Sequence, residues 1–217
     1  MEKLPNAKSC AKIQPMIKLI AGLGNPGQNL QNTRHNFGFM IIDVWAKNRG
    51  LDFVFNKKFN ALIAQSREQK FLFPTFDKII LAKPQTMMNN SGQSIKKISQ
   101  YFKIKPEEIL VVHDENDLPF GNLKLIFNKS AAGHRGIEST TNQLKTQSFF
   151  RLRLGIAPQV STNLSLEDFV LQDFSPQEQQ SLPDIIKKAT EIISIATNTS
   201  ADNPDQLVGQ ISQLNQT

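Results

Sequence analysis

The sequence predicts a single α/β domain in which a partly parallel sheet has helices on both faces. Patterns typical of strands alternate along the chain with patterns typical of helices, which favours parallel pairing of strands. The 217 residues, 39% hydrophobic and 20% charged, suffice for one full-sized core but would be cramped as two domains. No apolar run approaches the roughly 18 residues of a membrane helix, so we expect no membrane association and a cytoplasmic location.

The elements follow from the spacing of apolar residues. Short apolar runs rich in β-branched residues predict strands, and apolar residues that recur every three or four positions predict helices. The predicted strands are 17–23, 60–66, 70–74, 78–83, 109–113, 122–127 and 151–157. The predicted helices are 36–49, 91–103, 136–147 and 177–197. Pro74 interrupts the run at 70–74, which therefore predicts an edge strand.

Three segments are expected along the chain. We expect a disordered extension at residues 1–15, the α/β domain at 16–200, and a C-terminal tail at 201–217. The single cysteine, Cys10, lies in the extension. One cysteine excludes both a disulfide framework and a thiolate metal site.

Charge is unevenly distributed along the chain. Residues 1–159 have 23 Lys and Arg against 11 Asp and Glu, a net charge of +12, whereas 160–217 have 2 against 8, a net charge of −6. This division is consistent with a polyanionic partner that docks on the basic part, but charge alone favours the simpler explanation of ordinary solubility charge.

The glycine-rich stretch GLGNPG resembles a dinucleotide-binding loop only in its spacing. Gly22, Gly24 and Gly27 give G-x-G-x-x-G, but a polar loop follows the third glycine where a helix is required. Asp43, at the distance of a ribose ligand, lies inside a predicted helix. The oxidoreductase hypothesis therefore fails, and the stretch becomes a strand, a tight turn and a polar loop. The polar residues of this loop are Asn25, Thr33, Arg34, His35 and Asn36.

This polar loop and the segment that follows the predicted strand 109–113 contain candidates for acid–base chemistry. His35 has polar neighbours suited to a general base, although a single loop histidine is more often a surface residue. Asp114 follows the buried run 109–112, where a carboxylate can orient an imidazole. Asp114, Glu115 and Asp117 could alternatively bind a divalent metal, but no glycine-punctuated calcium loop is present, so we expect no metal.

Two further stretches combine small, polar and apolar residues. In KPQTMMNN, Met87, Met88 and Asn89 could form a pocket wall with hydrogen-bonding groups, or simply begin a helix. In NKSAAGHRGIEST, at 128–140, a loop before a helix could accept an anion, or only connect two elements. A serine hydrolase is disfavoured because G-x-S-x-G is missing.

Together, GLGNPG…TRHNFGF, KPQTMMNNSG, HDENDLPFG and GHRGIES resemble, in order and spacing, the signatures of bacterial-type peptidyl-tRNA hydrolase. The resemblance extends from about Ile17 to about Gly155. It implies a monomeric, single-domain α/β/α sandwich with a mixed sheet, active in translation and ribosome rescue. Such an enzyme cleaves the ester between a peptide and the 3′ ribose of tRNA without cofactor or metal.

The resemblance also implies roles for individual residues. His35 matches the catalytic base, and Asp114 matches the acid that keeps this base oriented. Asn25 matches the asparagine that distinguishes blocked from unblocked aminoacyl-tRNA. Asn89, after Met88, matches an amide that positions substrate and water. The physical requirements agree, since ester hydrolysis needs a base near neutral pH and donors for the oxyanion.

The resemblance also implies two basic residues that bind tRNA, and several positions differ from the usual residues of the family. Lys124 and Arg153 match basic groups that bind the 5′-phosphate of tRNA. The departures are Leu30 for tyrosine, Met87 for phenylalanine, Arg135 for asparagine and Ala131-Ala132 for glycines. Loss of the aromatic residues removes stacking surface for the terminal adenosine. Arg135, beside a helix start, is expected to attract a phosphate instead of orienting the peptide or ribose.

A non-catalytic RNA-binding relative of the same fold is the alternative function. Such a protein would keep the basic part of the chain while its active site drifted. His35, Asp114, Asn25 and Asn89 are all retained, and a protein that only binds RNA has no need of that set. The sequence therefore favours an active hydrolase.

Overall fold

The computed structural model describes residues 17–65, 79–158, 164–199 and 203–214. The predicted extension at 1–15 and the predicted edge strand at 70–74 lie outside these residues. The strands are β1 Leu19–Gly22, β2 Val54–Asn56, β3 Ala61–Gln65, β4 Ile80–Pro84, β5 Ile109–Pro119, β6 Leu123–Phe127 and β7 Phe150–Ala157. The α-helices are α1 Phe37–Lys47, α2 Ser91–Phe102, α3 Arg135–Leu144, α4 Leu166–Val170, α5 Pro176–Asn198 and α6 Pro204–Leu214. Within this part of the chain, none is long and apolar enough to cross a membrane.

The strands form one mixed sheet in the order β2-β3-β4-β1-β5-β7-β6. β4, β1, β5 and β7 are parallel to one another, whereas β2, β3 and β6 pair antiparallel at the two edges. This arrangement confirms the predicted mixed sheet. Because β1, β4 and β5 are parallel, their carboxyl ends lie at the same end of the sheet, where the polar loops that follow them meet.

Helices cover both faces of the sheet, which confirms the predicted three-layer architecture. The first core lies between the sheet and α1, α5 and α6, and includes Trp45 and Ile193. The second core lies between the sheet and α2 and α3, and includes Ile98 and Ile137. β5 is buried on both faces, which explains why Ile109–Val112 is a continuous apolar run rather than an alternating one.

The segment expected to be a C-terminal tail contains α6. Leu207 and Ile211, four residues apart on one face of α6, are buried in the first core. The tail prediction is thus corrected for residues 204–214, because burying this apolar stripe stabilises a helix that its polar neighbours obscure in the sequence. The other unpredicted elements, β2 and α4, have only three and five residues, too few to show a hydrophobic period.

A glycine at the end of β1 and another in the first turn of α1 allow this helix to pack directly on the sheet. A Cβ on Gly22 would lie 2.5 Å from the backbone oxygen of Gly38, and a Cβ on Gly38 would lie 2.3 Å from the backbone oxygen of Val112. No side chain tolerates either distance, so the start of α1 lies against β1 and β5 only because these positions are glycines. His35, two residues before α1, is thereby placed beside the carboxyl half of β5.

Candidate active site

A histidine and a carboxylate meet beside β5. His35 lies in a short 3-10 helix, Arg34–Asn36, directly before α1, and Asp114 lies in β5. Nδ1 of His35 is 3.0 Å from Oδ2 and 3.1 Å from Oδ1 of Asp114. Asp114 is only 2% exposed, so its charge is stabilised by protein groups rather than by bulk water. The structure brings these two predicted residues into direct contact.

This contact shifts the pKa of both groups. Burial alone would raise the pKa of Asp114, but its interactions with His35 and His134 outweigh burial and lower the pKa below its ordinary value. Burial alone would lower the pKa of His35, yet the charge and hydrogen bond of Asp114 raise it above 6.5, against a smaller opposing effect of Arg135. Because Nδ1 donates to Asp114, Nε2 of His35 is the atom able to accept a proton.

Arg34 fixes the short helix that holds His35. Its buried guanidinium donates to the backbone oxygen of Asp173 at 2.8 Å and pairs with Glu178 at 2.5 Å. Its Cζ also lies 4.4 Å from the centre of the Phe169 ring. These contacts tie the loop to α4 and to the start of α5, which restricts the directions in which His35 can point.

Asn25 is held by a second buried amide. Oδ1 of Asn36 accepts the backbone N–H of Asn25 at 2.7 Å, and Nδ2 of Asn36 donates to the backbone oxygen of Asn25 at 2.9 Å. Oδ1 of Asn25 accepts the backbone N–H of Met88 at 2.8 Å. Asn25 therefore presents Nδ2, which has no partner in the described residues, as a donor. Asn36 follows His35, so one short segment fixes both side chains.

The other residues predicted around KPQTMMNN lie farther out. Met87 is 54% exposed, Asn89 is exposed, and Leu30, in the loop after β1, is half-buried. Met88 is instead buried in the second core, and its backbone N–H reaches Asn25. Across the described residues, Asn89 has no hydrogen bond to His35, Asp114 or Asn25. Its predicted role in positioning substrate therefore stays a prediction.

Lys124 and Arg153 lie directly opposite each other on β6 and β7. Lys124 is exposed, and no salt bridge binds it within the described part of the chain. Nε of Arg153 donates to Oε2 of Glu115 at 2.7 Å, and Glu115 is buried. The two predicted cations are therefore neighbours, but only Lys124 keeps its full charge available for a phosphate.

Arg135 is paired at the start of α3. Its guanidinium forms a salt bridge with Glu167 of α4, and both side chains are mostly exposed. The backbone N–H groups of Gly136 and Ile137 are bound by Nδ1 of His134. These contacts compete with any anion at the start of α3, and the expected contact of Arg135 with a phosphate stays a prediction.

The alternative acidic metal site is not assembled. Asp114 contacts the histidines, Glu115 pairs with Arg153, and Asp117 is exposed. Among the described residues, the one group of three potential metal-ligating side chains consists of His35, Asp114 and His134, whose ligand-type atoms lie within 4.8 Å of one another.

His134 is the member of this site that sequence analysis missed. Its Nε2 lies 3.0 Å from Oδ1 of Asp114. His113 also contacts Asp114, since its Nδ1 donates to the Asp114 backbone oxygen at 2.7 Å, so all three histidines of the chain converge on one residue. A signal was available: His134 precedes the predicted helix 136–147, at the position where side chains accept backbone N–H groups.

Fold and site together define an α/β protein in which a buried carboxylate orients a histidine at the carboxyl edge of the sheet, an arrangement that activates water or a hydroxyl group. The chain belongs to the peptidyl-tRNA hydrolase family, whose model matches residues 19–214. The match includes α6, in agreement with the burial of that helix.

Individual relatives agree with this assignment. The peptidyl-tRNA hydrolase of Desulfitobacterium hafniense is 40% identical over 186 residues, which cover 86% of this chain and 96% of the relative. That of a Sulfurihydrogenibium species is 44% identical over 179 residues, covering 82% and 89%. The crystal structure of peptidyl-tRNA hydrolase from Acinetobacter baumannii matches with a TM-score of 0.79 and 29% identity, covering 91% of this chain and 95% of the other.

Proposed function

We propose that this chain hydrolyses the ester bond between a peptide, or an N-blocked aminoacyl group, and the 3′ end of tRNA. Membership of the peptidyl-tRNA hydrolase family supports the substrate. The observation that supports the chemistry is the hydrogen bond between His35 and buried Asp114, which leaves Nε2 of His35 free to act as a base.

The proposed mechanism uses water as the nucleophile. Nε2 of His35 takes a proton from water while the water oxygen attacks the ester carbonyl carbon, and Asp114 stabilises the imidazolium that forms. The tetrahedral intermediate then collapses with cleavage of the bond to the 3′ ribose oxygen. That oxygen receives the proton from Nε2, which regenerates His35 and releases a carboxylic acid and free tRNA.

Asn25 is suited to stabilise this intermediate and to select the substrate. Its Oδ1 is bound to Met88, so its Nδ2 is the group presented to a ligand. An N–H donor stabilises negative charge on a carbonyl oxygen, and an amide donor has no favourable contact with a free ammonium group. Asn25 therefore favours blocked over unblocked aminoacyl-tRNA.

The remaining predicted residues would contact the tRNA and the peptide. Exposed Lys124, with Arg153 beside it on the paired strands β6 and β7, would bind the 5′-phosphate of the tRNA. Leu30 and Met87 would offer apolar surface to the terminal adenosine or to the peptide, and Asn89 an additional amide.

The decisive experiment compares two substrates. Purified protein is incubated with N-acetyl-aminoacyl-tRNA and, separately, with unblocked aminoacyl-tRNA, and release of each acyl group is measured. We expect release from the blocked substrate only. Tight tRNA binding without release from either would instead establish the alternative, a non-catalytic RNA-binding relative.

We also propose that the reaction needs no metal or cofactor. Nδ1 of His35 and Nε2 of His134 both point at Asp114 as hydrogen-bond partners, so a cation bound there would have to displace both contacts. Prolonged treatment with a chelator should leave the rate of N-acetyl-aminoacyl-tRNA hydrolysis unchanged. Loss of activity that a divalent ion restores would contradict this proposal.

We also propose that the protein is a monomer and acts in the cytoplasm. Peptidyl-tRNA is a product of translation, so the enzyme must work where ribosomes do. Sedimentation of the protein at assay concentration should give a mass near 24.4 kDa. A dimer mass at the same concentration would rule out the monomer.

A further inference from the structure

His134 contacts the same carboxylate as the base, yet the mechanism above does not use it. Its Nε2 lies 3.0 Å from Oδ1 of Asp114, and its ring centre lies 5.2 Å from that of His35. The side chain is 7% exposed. Its place is therefore fixed inside the protein, between Asp114 and the start of α3.

The other ring nitrogen determines which hydrogen His134 offers. Nδ1 accepts the backbone N–H of Gly136 at 3.1 Å and of Ile137 at 3.3 Å. His134 is thus the N-cap of α3, a position usually filled by Ser, Thr, Asp or Asn. A nitrogen that accepts a hydrogen bond has no proton of its own, so the ring proton lies on Nε2 and points to Asp114.

Asp114 consequently has two histidine partners with different constraints. Nε2 of His35 has no partner in the described residues, so His35 can gain and lose a proton. Both ring nitrogens of His134, by contrast, already have partners, Nδ1 in the cap of α3 and Nε2 at Asp114. The other charged or titratable groups around the pair are His113 on β5 and Arg135 on α3.

We infer that His134 is a positioning residue, whose Nε2–H, fixed by the cap of α3, holds the Asp114 carboxylate towards Nδ1 of His35. The inference rests on the proposed function, because the base it serves is the proposed base. The donor on Oδ1 also satisfies part of the carboxylate charge, so Asp114 attracts the proton of His35 less strongly. His134 therefore helps to set the pH at which Nε2 of His35 becomes available.

Two substitutions separate the cap from the donor. In His134→Asn, the amide oxygen can take the place of Nδ1 and cap α3, but the shorter side chain cannot reach Asp114. In His134→Gln, the amide nitrogen can take the place of Nε2 and donate to Asp114, whereas the cap is lost. Each variant is the control for the other.

We expect stability and catalysis to separate between these variants. His134→Asn keeps the cap but loses the hydrogen bond to Asp114, so it should unfold at a somewhat lower denaturant concentration than the wild type, and its kcat should fall about tenfold with KM for tRNA unchanged. The midpoint of its pH–rate profile should move to higher pH. His134→Gln should unfold at lower denaturant yet retain the wild-type kcat and midpoint.

Two results would overturn the inference. One is a kcat that is lower in His134→Gln than in His134→Asn, which would mean that the cap of α3, and not the hydrogen bond to Asp114, matters for catalysis. The other is a wild-type kcat and pH midpoint in His134→Asn. An NMR titration of the His35 ring in both variants tests the same point without substrate. We expect its midpoint to be higher in His134→Asn than in the wild type and unchanged in His134→Gln. Absence of hydrolysis by the wild type would therefore refute the proposed function while the titration still decides this inference.

Discussion

The inner part of the site and its rim differ in how completely the protein fixes them. The inner group, which consists of His35, Asp114, His134 and Asn25, is largely buried and held by hydrogen bonds, whereas Met87, Asn89 and Arg135, the rim, are exposed. The departures from the usual residues of the peptidyl-tRNA hydrolase family lie at the rim, in the loop after β1, and in the loop before α3. This difference is consistent with the proposed division of roles, in which the inner group carries out the chemistry, and the rim can vary because its exposed side chains do not support the fold.

The largest expected effect comes from removing the proposed base. His35→Ala should lower kcat by roughly 10³-fold or more, because the proposed mechanism assigns the proton of the attacking water to His35 alone. Its affinity for tRNA should remain within a few-fold of the wild type, since His35 belongs to the inner group. Single-turnover hydrolysis of N-acetyl-aminoacyl-tRNA and a tRNA-binding titration measure the two quantities.

A variant on β6, outside the inner group, is the control for that prediction. Lys124→Ala should leave kcat unchanged, weaken tRNA binding, and reduce the salt dependence of binding by about one phosphate contact. Unchanged turnover in His35→Ala would remove His35 from the mechanism. A loss of kcat in Lys124→Ala would contradict the division between the inner group and the residues proposed to bind tRNA.

Asp114→Asn should have the next largest effect, about 10²-fold or more on kcat. The pKa of His35 is raised above 6.5 by Asp114, and the base is active only when unprotonated, so the wild-type rate should rise with pH through a midpoint above 6.5. Without the carboxylate charge, that midpoint should move to lower pH. A pH–rate profile for both proteins tests the shift, and coincident midpoints would argue against the His35–Asp114 pairing.

The loop before α3 gives a smaller effect, on stability. Ala132 has a φ of +49°, in the left-handed region that disfavours side chains. Ala132→Gly should raise the free energy of unfolding by about 0.5–1 kcal/mol, whereas Ala131→Gly, at a position without positive φ, should lower it by a similar amount. Denaturant unfolding of both variants measures this, and the same sign for the two would show that backbone strain at Ala132 is unimportant.

The smallest expected effect concerns the salt bridge at the rim. Glu167→Gln would free the guanidinium of Arg135, so KM for tRNA should fall about twofold at low salt and return to the wild-type value at high salt. KM measured across a salt series provides the test. The same fall in an Arg135→Asn/Glu167→Gln double variant would mean that Glu167 acts by repelling tRNA, not by binding Arg135.

The sequence alone was sufficient for the architecture. Continuous apolar runs indicated the central strands, and the spacing of apolar residues indicated α1, α2, α3 and α5, because burial imposes these patterns directly. The four motifs indicated the family and, through it, His35, Asp114 and Asn25. Their meeting at one edge follows from parallel strands, whose carboxyl ends lie together.

Tertiary structure alone decided which polar groups are bound and which are free. The second donor to Asp114, the pairing of Arg135 with Glu167, and the burial of α6 all join residues far apart in the chain. No local pattern records such contacts, because they depend on how helices pack against the sheet. His134 shows the reason most clearly: its position before a helix is visible in the sequence, but the proton on its Nε2 is directed to Asp114 only once α3 lies beside β5.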